Sequence, residues 1–313
     1  MSDENPIKLN YESGDAPGPD APESTPTLEA PEPAVGPRVQ PEPPVGDHDA
    51  LPHAPTLFGS APLQPQPELW RATDLLLFVG FSVIWAFLSG ALVLVAYVVL
   101  RPWMGWTTPP SALVDNTFFG LFVQLVLYGP LLLYIILLVV VHYRLPFWRG
   151  IHWQWPSAGN AVKLLFTGVL LALVVALGSA LMPDRKGFPL EKMFSSPSAA
   201  YALGAFAVLI APFMEELIFR GVLFAFFERL AGLRWAVAAS ALLFAALHYP
   251  EYQGAWTHLG MILFVGIVFS LARALTGSVA PSFLLHTAYN GTFIMALFLG
   301  THHFRNLQTL GGT

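Results

Sequence analysis

The 313-residue chain contains no cysteine and few charged residues. Without cysteine it forms neither a disulfide nor a thiolate zinc site, so any bound metal needs histidine and carboxylate ligands. Only 11% of the residues are charged while 55% are hydrophobic, and the mean hydropathy is +0.57. This composition is far more apolar than that of a soluble domain and indicates a multi-pass integral membrane protein.

Several other signals are also missing from the sequence. It has no glycine-rich phosphate loop, no internal repeat and no basic face suited to nucleic acid. We therefore expect no nucleic-acid partner. The lipid bilayer is the first expected partner.

The first 69 residues differ in composition from the rest of the chain. Residues 1–70 hold 16 of the 28 prolines and 12 of the 20 acidic residues, with only Lys8 and Arg38 as bases. Such a segment buries too little apolar surface to offset its chain entropy, and it lacks the pattern of a signal peptide. We predict a disordered, acidic, proline-rich tail over 1–69, a transmembrane helical domain over 70–303 and a short polar C-terminal tail over 304–313.

Apolar segments long enough to cross a bilayer follow this tail in close succession. They predict an all-α transmembrane bundle of about seven spans, within a range of six to eight. The predicted spans lie near 73–100, 117–143, 160–182, 199–229, 234–249, 258–275 and 279–300. The fourth is longer than the hydrocarbon is thick, and Pro212 is a candidate break after which a helix restarts at Phe213.

The basic residues near the ends of these spans suggest an orientation. Seven lie on the side of the N-terminal tail and five on the opposite side. By the positive-inside rule this difference favours a cytoplasmic tail.

Three predicted spans contain polar or charged residues at helical i, i+4 spacing, which places them on one helix face. Ionisable groups at that depth are costly and usually face a partner or a cavity. The first cluster consists of Glu215, Glu216 and Arg220, the second of Phe244 and His248, and the third of His286 and Asn290.

Each cluster by itself has a structural explanation. Glu216 and Arg220 form a local ion pair, while Glu215 lacks an i+4 base and needs a partner from another helix. His248 by itself is a polar residue near a helix end, and an isolated His and Asn pair acts as hydrogen-bonding glue between helices. The predicted depths of the clusters differ by roughly 5 to 10 Å, which tilt and side-chain reach can close, so one shared cavity is expected.

Such a cavity holds the groups needed for amide hydrolysis by water. A carboxylate removed from water, working with an imidazole, can take a proton from water and later deliver it to the leaving amine. A second imidazole and an amide can donate hydrogen bonds to the oxyanion. Ser240, Ser270 and Ser282 show no nucleophile-elbow motif, so acyl-enzyme chemistry is not expected.

These motifs resemble those of the CPBP intramembrane proteases, the family of CAAX proteases and bacteriocin-processing enzymes. That family has two adjacent glutamates followed after three residues by arginine, then Phe-x-x-x-His, then His-x-x-x-Asn. All three motifs occur here in this order, in a region spanning about 199–296. The resemblance implies an all-helical endopeptidase that cleaves a membrane-associated substrate, which is prenylated in the eukaryotic members.

The resemblance also implies a role for each motif residue. Glu215 is the base that activates water, His248 is its partner, and His286 and Asn290 stabilise the oxyanion. The supporting residues are Glu216 and Arg220, which hold the helix geometry, and Phe244, which lines the site. The expected partner besides lipid is thus a peptide or a lipidated protein.

The choice between a metal-free and a zinc mechanism stays open in the sequence. Glu215, His248 and His286 are plausible zinc ligands. The resemblance implies a glutamate mechanism without a cofactor, and the absence of an HExxH helix agrees with it, with zinc as the alternative.

Two functions of other classes also fit the composition. A non-catalytic scaffold or an immunity or resistance protein of the same fold would bind another membrane protein. An ion or proton translocator would use Glu215 and His248 as a relay, but the sequence lacks the paired halves with matching broken helices of many transporters.

Overall fold

A computed structural model of the chain describes residues 69–181, 193–252 and 255–307. The predicted acidic tail lies outside these residues except for Leu69, and the predicted C-terminal tail lies within them only as far as Leu307. The described part is helical and has no strand, which confirms the all-α fold class.

The helices of the described part are numbered α1 to α9 along the chain. They are α1 (Ala72–Met104), α2 (Thr117–His142), α3 (Phe147–Gly150), α4 (Ala158–Ala180), α5 (Pro197–Ala231), α6 (Leu233–Leu247), α7 (Tyr249–Tyr252), α8 (Trp256–Thr276) and α9 (Val279–Gly300). Six of them, namely α1, α2, α4, α5, α8 and α9, are long and apolar enough to cross a membrane, and α6 is a shorter apolar helix. The predicted range of six to eight spans is confirmed. The span predicted near 234–249 corresponds to the shorter helix α6.

Helix α5 lies at the centre of the bundle and α1 at its edge. In the most apolar window of α5, 44% of the residues are buried inside the protein, against 11% for α1. Large apolar side chains of α1 such as Leu76, Phe87 and Trp103 are exposed, as expected of a helix that faces lipid. The ionisable motif of α5 is therefore carried by the most enclosed helix.

The predicted break at Pro212 is wrong, because α5 continues through this residue. Two π-helical stretches, Phe206–Ile210 and Leu217–Leu223, lie on either side of the two glutamates. A proline lacks the N–H for the helical ladder, and its ring crowds the carbonyl one turn earlier. The wider turn at Phe206–Ile210 comes directly before Pro212 and relieves this crowding without ending the helix.

The π-helical stretches leave backbone carbonyls that accept hydrogen bonds from other helices. The Asn290 side-chain amide donates to the carbonyl of Ala207 at 2.7 Å. The Ser240 hydroxyl donates to the carbonyl of Phe219 at 2.9 Å, and Arg273 Nε donates to the carbonyl of Arg220 at 3.3 Å. Buried carbonyls are costly when unpaired, so these bonds from α6, α8 and α9 stabilise α5 in its irregular form.

Helix α9 packs most closely against α4, and a glycine makes this approach possible. A Cβ atom built at Gly168 would lie 2.7 Å from the Cβ of Ala288 and would also collide with the carbonyl of Leu285. Small residues let two membrane helices come together in this way. The close contact lies next to His286 along α9.

Hydrogen bonds between segments show which helix ends meet. At the end where residue 69 lies, the backbone N–H of Trp70 and the Asp74 carboxylate both bond the Tyr143 hydroxyl, and the N–H of Val279 donates to the carbonyl of His152. At the other end the Thr117 hydroxyl donates to the carbonyl of Met193. When α6 is counted, successive apolar helices therefore alternate in direction, and α5 and α8 run in the same direction.

Candidate active site

The two adjacent glutamates of α5 occupy different environments. Neighbouring residues on a helix point about 100° apart. The Glu215 side chain is 20% exposed and lines a cavity of about 660 Å³, whereas the Glu216 side chain is fully buried behind the cavity wall. Of the two carboxylates, Glu215 is the one that is accessible from the cavity.

Glu216 is held by three side chains. Its Oε1 lies 3.0 Å from Arg220 Nη1 and 2.8 Å from His286 Nδ1, and its Oε2 accepts a hydrogen bond from the Ser282 hydroxyl. Arg220 in turn donates from Nη2 to the carbonyl of Gly266 at 2.9 Å. The ion pair expected from the i, i+4 spacing is present, and it extends to a histidine and a serine that lie at least 66 residues further along the chain.

Aromatic rings surround the cation of this network. The Arg220 guanidinium carbon lies 4.8 Å from the ring centre of Phe244, 5.4 Å from that of Phe269 and 5.8 Å from that of Phe219. A ring face attracts a cation and excludes water from it. The buried charge is thus compensated by one carboxylate, one carbonyl and these rings.

His286 lies between the two glutamates. Its Nδ1 contacts Glu216, and its Nε2 lies 3.7 Å from Glu215 Oε2. Because a carboxylate accepts and does not donate, the hydrogen-bond network assigns the proton of Nδ1 to the bond with Glu216. The ring therefore presents Nε2 towards Glu215 and the cavity, in the way that a partner at one ring nitrogen orients a functional histidine.

His248 is the first residue after α6 and reaches the same cavity. Its Nδ1 lies 2.7 Å from the carbonyl of Phe244, one turn earlier, and its ring centre lies 4.5 Å from the ring of Phe244. Nδ1 donates its hydrogen to this carbonyl. In the neutral ring Nε2 therefore carries no hydrogen and can accept a proton. Phe244 thereby orients His248 through its carbonyl and also contacts the His286 ring at 5.9 Å.

Asn290 lies one turn after His286 on α9 and also lines the cavity. One N–H of its amide is bonded to the carbonyl of Ala207, and a side-chain amide has a second N–H. The structure thus brings the four residues predicted as catalytic to one cavity, together with Phe244. Glu216 and Arg220 lie behind them.

The cavity wall also contains polar residues that the motifs did not indicate. They include Gln124 and Tyr128 of α2, Glu251 and Tyr252 of α7, and His258 of α8. Burial, with the charge of Glu251 as a second cause, raises the pKa of Tyr252 to about 12, so its hydroxyl stays protonated at neutral pH. Glu251 and Tyr252 follow His248 by three and four residues, whereas no local spacing links Gln124, Tyr128 or His258 to the three motifs, so only the fold places those three at the site.

Other lining residues show where the cavity lies along the spans. Gly120 is near the start of α2, Ser179 near the end of α4, His258 near the start of α8 and Ile294 in the second half of α9. These positions all belong to the helix ends opposite residue 69. The cavity therefore extends from the depth of Glu215 towards that opposite side.

The described residues contain no group of three or more histidine, aspartate and glutamate side chains placed to hold a metal ion. In the zinc alternative, Glu215 and His286 Nε2 are near each other, while Nδ1 of both histidines is engaged by other groups. The zinc set of Glu215, His248 and His286 stays a prediction.

Residues 197–292 match the family model described as type II CAAX prenyl endopeptidase Rce1-like. The comparisons with curated proteins and with solved structures gave no match. The matched segment runs from the start of α5 into α9 and contains all three motifs. The segment that carries Glu215, His248, His286 and Asn290 is thus similar to the Rce1-like family, which is a family of CAAX-type membrane peptidases.

Proposed function

We propose that the protein hydrolyses a peptide bond of a membrane-associated, prenylated substrate with a water molecule activated by Glu215 and His248. The observation that supports this proposal most directly is the shared cavity. A partly exposed carboxylate, two imidazoles and an amide line it, while a second carboxylate is fixed behind them. In this proposal no metal is required, and the N-terminal end of the chain is cytoplasmic.

In the first step Glu215 accepts a proton from water as the water oxygen attacks the scissile carbonyl carbon. His248 can share this proton at Nε2, because its Nδ1 is bonded to the carbonyl of Phe244. The attack forms a tetrahedral intermediate that carries a negative oxygen. A site with donors already in place stabilises that oxygen without reorganisation.

His286 and Asn290 are the proposed donors to this oxygen. Asn290 donates with the N–H that is not bonded to Ala207. His286 donates from Nε2 when both of its ring nitrogens are protonated, with Nδ1 bonded to the Glu216 carboxylate. Glu216 thus acts behind the reacting atoms.

In the second step the C–N bond breaks, and the proton held by Glu215 and His248 passes to the leaving amine. One water is consumed, and the products are a carboxylate and an amine. The cavity wall is otherwise largely apolar, with residues such as Val175, Leu203, Phe206, Ile262 and Phe293. Such a wall suits a lipidated peptide better than a soluble one.

The test is cleavage of fluorogenic, prenylated peptides by the detergent-purified full chain. Glu215→Gln keeps the shape of the side chain but removes the base, so kcat should fall by about 10²- to 10⁴-fold. His248→Ala should also lower kcat. Glu228→Gln is the matched control, because Glu228 is an exposed glutamate on the same helix. Its activity should equal that of the wild type.

The same assay with a chelator separates the two mechanisms. Activity that is lost in Glu215→Gln and unaffected by the chelator supports the glutamate mechanism. Activity lost on chelation and restored by zinc would contradict it and assign Glu215, His248 and His286 as ligands. A folded wild type that cleaves no prenylated peptide would contradict the protease proposal and favour a scaffold or, if ions cross vesicles, a translocator.

A further inference from the structure

We infer that Ser282 is a positioning residue of this site, which holds Glu216 in the orientation that keeps His286 Nε2 facing Glu215. As far as it concerns reaction rate, this inference rests on the proposed function. As far as it concerns the orientation of Glu216, it rests on the contacts alone. Ser282 was considered above only as a nucleophile, and it does not line the cavity.

The two oxygens of Glu216 have different partners. Arg220 and His286 share Oε1, and Ser282 is the only side chain in the described part of the chain that hydrogen-bonds Oε2. All four side chains are almost completely buried. Water therefore does not replace the Ser282 hydroxyl if it is removed, and Oε2 is left as an unpaired carboxylate oxygen in an apolar setting.

An unpaired Oε2 would compete with Oε1 for the same two donors. A small rotation of the carboxylate would bring Oε2 towards Arg220 and would move Oε1 away from Nδ1 of His286. His286 then loses the fixed acceptor at Nδ1 that determines which nitrogen faces the cavity. The Ser282 bond prevents this rotation, because it satisfies Oε2 from the α9 side.

The position of Ser282 on α9 supports this role. Ser282, His286 and Asn290 follow one another at intervals of four residues and lie on one helix face. The hydroxyl donates to Glu216 on α5 and not to the carbonyl one turn earlier on its own helix, which is the usual partner of a buried helical serine. Ser282 and His286 thus hold the same carboxylate from adjacent turns.

Two other buried serines are matched controls. Ser270 is fully buried on α8, and its hydroxyl has no hydrogen-bond partner among the described residues. Ser240 is fully buried on α6 and donates to the carbonyl of Phe219. If removing a buried serine is enough to lower activity, Ser270→Ala should lower it too. If leaving a buried acceptor unpaired is enough, Ser240→Ala should lower it.

The experiment compares Ser282→Ala, Ser282→Cys and Ser282→Thr with Ser270→Ala and Ser240→Ala in the full chain. Cysteine keeps the shape of serine but is a weak donor, whereas threonine keeps the hydroxyl. We expect Ala and Cys at position 282 to lower kcat by about 10- to 100-fold with KM almost unchanged, as loss of an orienting partner does. Thr should retain most of the activity.

The pH profile of kcat distinguishes orientation from simple structural damage. The profiles of Ser282→Ala and Ser282→Cys should change shape, because the ring nitrogens of His286 are no longer fixed by Glu216. The profiles of Ser240→Ala and Ser270→Ala should keep the wild-type shape. A Ser282→Ala enzyme with wild-type kcat, or with a lower kcat and an unchanged profile, would overturn the inference.

A double-mutant cycle tests the contact without using activity. If Ser282 and His286 act on one carboxylate, Ser282→Ala combined with His286→Ala should lower Tm by less than the sum of the single effects. Ser240→Ala combined with His286→Ala should be additive. Additive effects for Ser282 would overturn the inference even if no peptide is cleaved. Coupling together with an inactive wild type would instead overturn only the proposed function.

Discussion

At the scale of single residues, Arg220 shows how a cation is kept inside a membrane helix. Its guanidinium bonds Glu216 and the carbonyl of Gly266 and lies over the ring of Phe244. The i, i+4 spacing in the sequence predicted the Glu216 pair. The carbonyl and the ring come from other helices, so local spacing did not indicate them.

We expect Arg220→Met to lower the free energy of unfolding by about 3–5 kcal/mol, because Glu216 is then left buried without its cation. Denaturant or thermal unfolding in mild detergent measures this loss. Arg229→Met is the control, since Arg229 is exposed on the same helix, and its stability should be unchanged. Equal stability of the two variants would contradict a compensated buried pair.

His152 lies outside the spans, between α3 and α4, and its Nδ1 is buried with no hydrogen-bond partner in the described part of the chain. Burial, and secondarily the charge of Arg273, lowers its pKa from 6.5 to about 4. The unfolded chain takes up a proton below pH 6.5 that the folded chain accepts only near pH 4. The free energy of unfolding should therefore fall as pH decreases through this window.

Thermal unfolding between pH 7 and pH 4 checks this prediction, with His152→Gln as the comparison. The wild type should lose more stability across the window than the variant, which lacks the titrating ring. Parallel curves for the two proteins would show that His152 titrates at its ordinary pKa.

At the scale of helices, the close contact of α4 with α9 determines where His286 and Asn290 lie. Gly168 permits this contact, since a Cβ atom there would meet Ala288 and Leu285, the residue before His286. We expect Gly168→Ala to cost about 1–3 kcal/mol of stability through overpacking and to lower kcat by displacing α9. Unfolding and cleavage assays measure the two effects.

Gly159→Ala on the same helix is the control for this change. A Cβ atom at Gly159 meets no heavy atom within 4 Å, so stability and activity should stay at the wild-type level or stability should rise slightly. If Gly168→Ala behaved like Gly159→Ala, α4 and α9 would not pack as closely as the structure shows.

At the scale of the whole molecule, the cavity extends towards the helix ends opposite residue 69. Because the chain has no cysteine, a single introduced cysteine is a unique label. In sealed vesicles, Thr257→Cys and Arg149→Cys should react with an impermeant maleimide from opposite sides, since both positions are exposed and lie at opposite helix ends. A charged, impermeant peptide substrate should be cleaved only from the Thr257 side.

Cleavage from the side of Arg149 would contradict this access route. Labelling of both cysteines from one side would instead contradict the alternating order of the spans. The same labels, used in cells, test whether the N-terminal end is cytoplasmic, which the modest excess of basic residues favours.

The sequence by itself determined the membrane class, the number of spans to within one, and the three motifs. Hydropathy and i, i+4 spacing depend only on residues near one another in the chain, so they can be read without a structure. The expected shared cavity followed from span order and depth alone. The catalytic roles of its residues stay predictions.

Only the tertiary structure decided the rest. The bonds of Ser282 and His286 to Glu216 join α5 to α9, and the π-helical stretches that replace the predicted break at Pro212 depend on donors from three other helices. Contacts between distant segments depend on how the helices pack, and hydropathy and local spacing do not specify that packing. The wall residues Gln124 and Tyr128 of α2 and the side to which the cavity extends also depend on this packing, so the sequence did not indicate them.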